Sequence, residues 1–279
     1  KGNTFVTKLN PSGSALVYSY SLRGSAKAIA VDASGNAYIT GSTKDFLHLQ
    51  PFGPIDKFPF HQTIFNAFVT KLNATGAKIY SVTFGSASGP NTDTIGSAIA
   101  VDATGSAYVV GNTSSTKFPV TSGVFQNSLK GGSDAFITKL APDGKSLIYS
   151  TFLGGTGRES DIDDIDRIDP TSGIVLPVKC DVFVDSTGNA YVTGVTDSTD
   201  FPVTPGVMQP TKKGNYDIFV SKLNPTASSL VFSTYLGGTL NDASSALDID
   251  SQGNIYILGN TNSTNFPTTP GALQTSLLN

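Results

Sequence analysis

Residues 68–72 read Phe-Val-Thr-Lys-Leu, and this short phrase decides the fold because the chain repeats it. The same phrase, or a close variant of it, occupies residues 5–9, 136–140 and 219–223. A second phrase, Val-Asp-x-x-Gly-x-x-Tyr, occurs at residues 31–38, 101–108 and 184–191, and with Ile in first place at residues 249–256. Self-similarity of this kind predicts a repeat architecture, in which each repeat is one supersecondary unit.

Each repeat contains four strand-like runs, which we label A to D. Strand A is predicted at residues 28–31, 98–101, 181–184 and 246–249, and strand B at residues 37–40, 107–110, 190–193 and 255–258. Strand C is the Phe-Val-Thr-Lys-Leu phrase, and strand D is predicted at residues 16–22, 79–84, 147–153 and 230–236. Between A and B, an Asp is followed by a Gly that can take the positive φ of a tight hairpin. We therefore interpret the recurring Asp32, Asp102, Asp185 and Asp250 as turn acceptors for backbone donors.

The strands are apolar on both faces, as in Leu-Val-Phe-Ser-Thr-Tyr-Leu at residues 230–236. A sheet that is covered on both sides has this pattern. Four short antiparallel strands per unit, covered by like units, are typical of a propeller blade. The sequence therefore predicts an all-β fold, a β-propeller built from four-stranded antiparallel blades.

The phrases Ala-Phe-Val-Thr-Lys-Leu-Asn, Tyr-Ser-Thr-Phe-Leu-Gly-Gly, Gly-Asn-Ala-Tyr-Val-Thr-Gly and Phe-Pro-Thr-Thr-Pro-Gly resemble the bacterial seven-bladed β-propeller repeat family, the SBBP repeats. The resemblance implies secreted or cell-surface bacterial proteins, mostly of unestablished activity. The family pattern breaks at residues 45–65 and 158–177. We divide the chain into one propeller region, 1–279, with repeats at about 1–65, 66–133, 134–215 and 216–279. An insertion at about 158–177 is expected to lie between strands D and A of the third repeat.

The order of strands predicts a blade that is split between the N- and C-termini. The first half, residues 4–22, supplies strands C and D, and the second half, residues 244–259, supplies strands A and B. An unpaired sheet edge readily pairs with another strand, so we expect each half-blade to be completed by the missing half. Three closures satisfy the halves: one chain forms a four-bladed ring, two chains exchange halves in an eight-bladed ring, or many chains form a fibre. The resemblance favours more blades than four, so we expect a homo-oligomer that is joined through the terminal half-blades.

Composition excludes several classes of protein. The 279 residues carry a net charge of −3 and only 14% are charged, so the basic footprint of a nucleic-acid-binding protein is missing. At 38% hydrophobic the chain can fill a core, and global disorder is not expected. Apolar runs fall short of the 18 residues or so that a membrane-spanning helix needs. The chain starts at Lys1, partway through a repeat and with no signal peptide, so we expect it to be cut from something longer.

Candidate chemistry is sparse. The acidic run at residues 161–169 supplies Asp161, Asp163 and Asp166 as candidate oxygen ligands for Ca²⁺. The sixth and twelfth places of an EF-hand loop hold Asp166 and Ser172 here, so the alternative is a solvated acidic loop without metal. His48 and His61 lie in one divergent loop, far along the chain from Cys180. We therefore predict no catalytic residues, no cofactor other than this candidate Ca²⁺, and a Cys180 that is a small buried side chain.

The connection between strands B and C carries a phrase of its own in three repeats. Its anchors are Phe118 and Pro119, Phe201 and Pro202, and Phe266 and Pro267. The phenylalanines either plug the edge of the blade stack or form a ligand-binding loop face. Three sequons, at Asn73, Asn112 and Asn262, are candidate glycosylation sites of a secreted protein.

Together these features predict a non-enzymatic extracellular or cell-surface protein with a structural, adhesive or assembly role. The alternative is a module that binds carbohydrate or another surface ligand through the Phe-Pro loops. A third hypothesis is a polysaccharide-active enzyme at the propeller mouth, which needs paired carboxylates that converge from separate blades.

Overall fold

The computed structural model describes residues 3–44, 65–85, 92–160 and 179–275. Every regular element in these residues is a β-strand. The strands are β1 (Asn3–Leu9), β2 (Leu16–Arg23), β3 (Ser25–Val31), β4 (Ala37–Thr43), β5 (Asn66–Leu72), β6 (Lys78–Phe84), β7 (Thr94–Val101), β8 (Ala107–Thr113), β9 (Asp134–Leu140), β10 (Leu147–Leu153), β11 (Glu159–Ser160), β12 (Asp181–Val184), β13 (Ala190–Thr196), β14 (Asp217–Leu223), β15 (Leu230–Leu236), β16 (Asp242–Ile249) and β17 (Ile255–Thr261). The all-β prediction is confirmed.

Three antiparallel sheets have the strand order A-B-C-D, and we call each of them a complete blade. The first blade is β3-β4-β5-β6, the second is β7-β8-β9-β10, and the third contains β12-β13-β14-β15. Short runs rich in β-branched and aromatic residues suit the pleat, and turns with Gly or Pro close the hairpins. The predicted runs lie inside the observed strands, and most of these strands extend beyond them by a few residues.

The third blade corrects the expected place of the insertion. The short β11 pairs with Thr196 and Val195 near the end of β13, while β12 pairs with the beginning of the same strand. Both segments therefore occupy the strand A position. Strand A of this blade begins at Glu159, resumes at Asp181, and is interrupted by residues that lie outside the described part of the chain. The insertion therefore interrupts strand A in the sequence between β11 and β12, while the partner strand β13 continues without a break.

The two ends of the chain form half-blades. Strands β1 and β2 make one two-stranded sheet, and β16 and β17 make another. The first occupies the place of strands C and D, and the second that of strands A and B. The two halves do not pair with each other among the described residues. That they complete one split blade stays a prediction.

Blades stack face to face around their inner strands. The strand A segments β3, β7, β12 and β16 are successive neighbours, and β1 lies against β3. The rings of Phe84 in the first blade and Phe136 in the second meet edge to face, with centroids 5.8 Å apart. One apolar cluster joins the first and second blades, and another joins the second and third. The core therefore lies between the sheets, which explains why the strands are apolar on both faces.

The hairpins between strands A and B have the predicted turn chemistry. The Oδ1 atom of Asp32 accepts hydrogen bonds from the backbone N–H groups of Ser34 and Asn36, at 3.0 and 2.9 Å. Gly35 has a φ of 77°, which favours glycine. The same arrangement recurs at Asp102, Asp185 and Asp250. These aspartates are turn acceptors, as the sequence predicts.

Candidate functional site

The Phe-Pro connections cover the outer edge of their own blade. In the second blade, Thr121 N–H donates to the carbonyl of Ser150 on strand D at 3.1 Å, and Phe152 N–H donates to the carbonyl of Gln126 at 3.1 Å. The third blade repeats both bonds, between Thr204 and Ser233 and between Tyr235 and Gln209. An edge strand that is covered in this way cannot template pairing with another chain.

The phenylalanines of these connections pack inside the blade stack. Phe118 is buried against the rings of Phe136 and Phe152, with centroid distances of 4.7 and 5.5 Å. Phe201 is buried and stacks on Phe219 at 4.6 Å. Their prolines, Pro119 and Pro202, are half-buried, as are Phe266 and Pro267 of the last connection. The placement favours the plug over a ligand-binding face, because a buried ring offers no surface to a ligand.

Buried carboxylates at the blade junctions were missed from the sequence. Asp134 begins strand β9 and accepts hydrogen bonds from the side-chain amide of Gln126 and from the backbone N–H groups of Lys130 and Gly131. Asp217 is held in the same way by Gln209. In both cases the Gln lies eight residues before the Asp, at the end of the Phe-Pro phrase. This constant spacing was the sequence signal from which these buried carboxylates could have been predicted.

Glu159 lies beside Asp134 at the junction of the second and third blades. It is fully buried, and it accepts hydrogen bonds from the hydroxyls of Thr196 and Ser198 and from the N–H of Gly155. Burial, with the nearby Asp134 carboxylate, raises the pKa of Glu159 to about 7. Burial also raises the pKa of Asp134 and of Asp242 above the usual range. The oxygens of Glu159 thus have hydrogen-bond donors and are shielded from solvent, and the pair lies in the packed junction between the two blades.

A lysine, a tyrosine and an aspartate meet at the end of complete blades. In the second blade Lys139 Nζ lies 4.5 Å from the ring centroid of Tyr108 and 3.1 Å from the Asp102 carboxylate. The hydroxyl of Tyr108 donates to the same carboxylate at 3.1 Å. In the third blade the trio is Lys222, Tyr191 and Asp185. The trio joins strand C to the hairpin between strands A and B, across the pairing of B with C.

The remaining candidates from the sequence divide into buried, turn-bound and undescribed residues. Cys180 is buried. Asn73 accepts turn hydrogen bonds through its Oδ1 atom, and Asn112 is in β8 with its Oδ1 buried, while Asn262 follows β17. Asp161, Asp163 and Asp166, with His48 and His61, lie outside the described residues. Within the described ranges no group of three or more His, Cys, Asp or Glu side chains is arranged to hold a metal ion.

The two half-blades expose side chains that every complete blade buries. Phe5 on β1 is 74% exposed, whereas the Phe at its position in each complete blade is buried. Tyr256 on β17 is 59% exposed, whereas the Tyr at its position is likewise buried elsewhere. The buried counterparts are Phe68, Phe136 and Phe219 for the first, and Tyr38, Tyr108 and Tyr191 for the second. We call the free sides of β1 and β17 the two open edges.

Exposure elsewhere in the N-terminal half-blade shows that the contrast is specific. Val17 on β2 is 49% exposed, and Ile148 at the same position of the second blade is also 49% exposed. The outward face of strand D is therefore exposed in every blade. The exposure of Phe5 and Tyr256 instead follows from a missing neighbouring blade, because their buried counterparts lie in the apolar clusters between successive blades. The open edges present backbone donors and acceptors beside apolar side chains. Another strand can pair with such an edge and extend the sheet.

Comparison with known proteins supports the repeat assignment. A family model described as SBBP, beta-propeller repeat, matches residues 72–119, 181–202 and 231–267. A search among curated proteins finds no match. No helix in the described ranges is long and apolar enough to cross a membrane. The matched regions fall in the first, second and third complete blades and in the C-terminal half-blade. Three regions of the chain thus match the SBBP beta-propeller repeat, in keeping with the four-stranded antiparallel blades.

Proposed function

We propose that this chain is a non-enzymatic propeller-repeat scaffold outside the cell or at a bacterial cell surface, and that its structural or adhesive role depends on assembly through the two open edges. One observation carries the proposal: the positions of Phe5 and Tyr256 are buried in all three complete blades and exposed in the half-blades. The complete blades act as internal references, because they share the strand phrases of the halves.

The energetics favour completion. Burying a large apolar side chain contributes about 1.5–3 kcal/mol. Phe5 and Leu9 on β1, and Tyr256 and Leu258 on β17, are all largely exposed. Pairing the edges also supplies partners for a row of backbone groups. Even after the cost of association, several such side chains support a stable interface.

The carbohydrate-binding alternative has weaker support. It depends on Phe118 and Phe201, whose rings pack against other aromatic rings in the core. An enzymatic role also has little support in the described residues, where the buried Asp134 and Glu159 accept hydrogen bonds from Gln126 and Thr196. We therefore retain assembly as the proposed function.

Light scattering on the full chain tests assembly, with Phe5→Ser as the variant and Val17→Ser as its matched control. Both changes replace an exposed apolar side chain, but only Phe5 lies on an open edge. We expect the unaltered chain and Val17→Ser to form oligomers, and Phe5→Ser to shift towards the monomer while its circular dichroism stays β-rich. A strictly monomeric unaltered chain at high concentration contradicts the proposal.

Location needs a separate experiment. Fractionation of the producing cells, followed with an antibody against the chain, should recover the protein in the medium or on protease-accessible surfaces. Recovery in the cytoplasmic fraction alone contradicts the extracellular part of the proposal and leaves the assembly part unaffected.

A further inference from the structure

We propose that the junction between the second and third blades is a pH-sensitive latch, in which two buried carboxyl groups hold one proton while the junction is closed and loss of that proton opens it locally. The two groups belong to Asp134 of the second blade and Glu159 of the third, and we call them the junction pair. The inference goes beyond the proposed function, because it concerns neighbouring blades within one chain and makes no use of the open edges.

The junction pair meets at Gly154, the residue that follows β10. A Cβ atom at Gly154 would collide with a carboxyl oxygen of Glu159 and would lie 2.9 Å from Oδ1 of Asp134. Both acidic residues are fully buried. Two ionised carboxylates that are this close repel each other strongly where water is excluded, so the closed junction favours the state with one proton.

The hydrogen-bond partners assign the proton to Glu159. Asp134 accepts from three N–H groups, which can only donate and therefore suit an ionised carboxylate. Glu159 instead faces the hydroxyls of Thr196 and Ser198, beside one backbone N–H. A hydroxyl can turn and accept a hydrogen bond, so these partners also suit a protonated carboxyl. The pKa of about 7 to which burial raises the Glu159 carboxyl agrees with this assignment.

The junction between the first and second blades is a neutral reference. Asn66 takes the place of Asp134 at the start of strand C, and Thr94 takes the place of Glu159 at the start of strand A. The hydroxyl of Thr94 shares a hydrogen bond of 2.8 Å with that of Thr113, so a hydroxyl stands where the third blade has a carboxyl group. Neither position of this junction can gain or lose a proton near neutral pH.

The arrangement recurs between the third blade and the half-blade of β16 and β17. Asp217 and Asp242 occupy the two positions there, and both are fully buried. Asp242, like Glu159, accepts from two hydroxyls and one backbone N–H. Burial, with the nearby Asp217 carboxylate, raises the pKa of Asp242. Two junctions therefore carry the same pair of groups with the same kinds of partners.

Other charges around the junction pair do not replace the proton. The titratable or charged neighbours are Lys130, Arg158, Asp197, Asp200, Asp217 and Tyr235. Both cations, Lys130 and Arg158, are exposed, so water screens their attraction for the pair. Hydrogen bonds from Thr156 hold the pKa of Asp200 below its usual value, and burial raises the pKa of Tyr235 to about 12. Asp200 and Tyr235 therefore keep one charge state between pH 5 and pH 8.

The expected response to pH follows from the proton that opening releases. Once the junction opens, water reaches Glu159 and the pKa of its carboxyl returns to about 4.5. Between that value and about 7, the closed junction holds a proton that the open junction has lost. The equilibrium constant for opening should therefore rise about tenfold for each pH unit in this range and level off above it.

The native cysteine reports this opening without any substitution. Cys180 is the only cysteine in the 279 residues, and it is buried in the apolar cluster that joins the second and third blades. Its rate of reaction with dithiodipyridine is measured from pH 5 to pH 8 and divided by the rate of the urea-unfolded chain at the same pH. This division removes the ionisation of the thiol itself. We expect the ratio to rise about 100-fold between pH 5 and pH 7 and then to level off.

Variants assign the response to the junction pair. In Glu159→Gln the ratio for Cys180 should not change with pH, whereas Asp248→Asn, which alters an exposed carboxylate, should keep the full rise. A second reporter, Ala67→Cys in a Cys180→Ala background, is placed in the cluster that joins the first and second blades. Because repeat units can open separately, its ratio should be the same with and without Glu159→Gln.

The outcomes separate this inference from the proposed function. A Cys180 ratio that stays constant with pH in the unaltered chain overturns the latch, as does a rise that persists in Glu159→Gln. Equal effects of Glu159→Gln on both reporters overturn the local opening, because the whole chain then opens at once. Assembly through the open edges is tested by light scattering, and it stands or fails independently of these thiol rates.

Discussion

The charge state of Glu159 should control the stability of the junction between the second and third blades. Glu159 is the only Glu in the 279 residues, and it is fully buried against hydroxyls and a backbone N–H. The substitution Glu159→Gln keeps its size and mimics the protonated carboxyl. The amide can accept from Gly155 and donate to the hydroxyls of Thr196 and Ser198, whose protons can rotate.

The expected size of the effect follows from the raised pKa. Burial and the nearby Asp134 raise the pKa of Glu159 from 4.5 to about 7. Between these two values the folded chain keeps a proton that the unfolded chain has released, so the free energy of unfolding falls as the pH rises. At about 1.4 kcal/mol for each pH unit, the loss is on the order of 3 kcal/mol above pH 7 or so. The favourable contribution is fully present below pH 4.5.

Urea denaturation between pH 5 and pH 8 measures this loss. The chain has 10 Tyr and no Trp, so tyrosine fluorescence and circular dichroism are suitable probes. The informative quantity is the difference in free energy of unfolding between Glu159→Gln and the unaltered chain. Taking this difference removes the contribution of groups that do not contact residue 159. We expect the free energy of unfolding of Glu159→Gln, relative to that of the unaltered chain, to rise by most of about 3 kcal/mol between pH 5 and pH 8.

The control is Asp248→Asn, which changes an exposed carboxylate. It should leave the pH dependence of the unaltered chain in place. A constant difference between Glu159→Gln and the unaltered chain from pH 5 to pH 8 would falsify the argument, because the carboxyl would then be ionised alike in the folded and unfolded chains.

Two further perturbations test the packing and the turns. Phe201→Ala should lower the free energy of unfolding by about 3–5 kcal/mol, since it empties a buried site beside Phe219, whereas Phe266→Ala in the half-buried last connection should cost clearly less in the same urea titration. Equal losses of unfolding free energy in the two variants would contradict the interpretation of Phe201 as a buried plug. Burial alone would raise the pKa of Asp185, but hydrogen bonds from Asn189 and Thr187 outweigh it and hold the pKa of this carboxyl below its usual value. The ionised carboxyl therefore stabilises the fold above about pH 4, and this contribution is lost on acidification. Asp185→Asn should therefore be less stable at pH 6, with a gap to the unaltered chain that narrows towards pH 2, and a gap of constant size would contradict the assignment.

Local features of the fold were open to prediction from the repeated phrases. The strands, their antiparallel hairpins and the Asp–Gly turns depend on neighbours within a few residues, so a phrase such as Phe-Val-Thr-Lys-Leu carries the same structure wherever it occurs. For the Phe-Pro anchors, a plug at the edge of the blade stack was one of two interpretations, and a ligand-binding loop face was the other. Three occurrences of one phrase indicate an ordered connection, but they do not reveal which surface it covers.

The sequence by itself determined that this chain is built from repeated four-strand units with an unequal start and finish, because strand and turn chemistry is local. Only the tertiary structure decided where the units touch. It placed Glu159 in a buried junction, joined β11 and β12 into one interrupted strand A, and left Phe5 and Tyr256 exposed. These outcomes depend on residues that are distant in sequence, and burial is a property of the packed neighbours rather than of the residue alone.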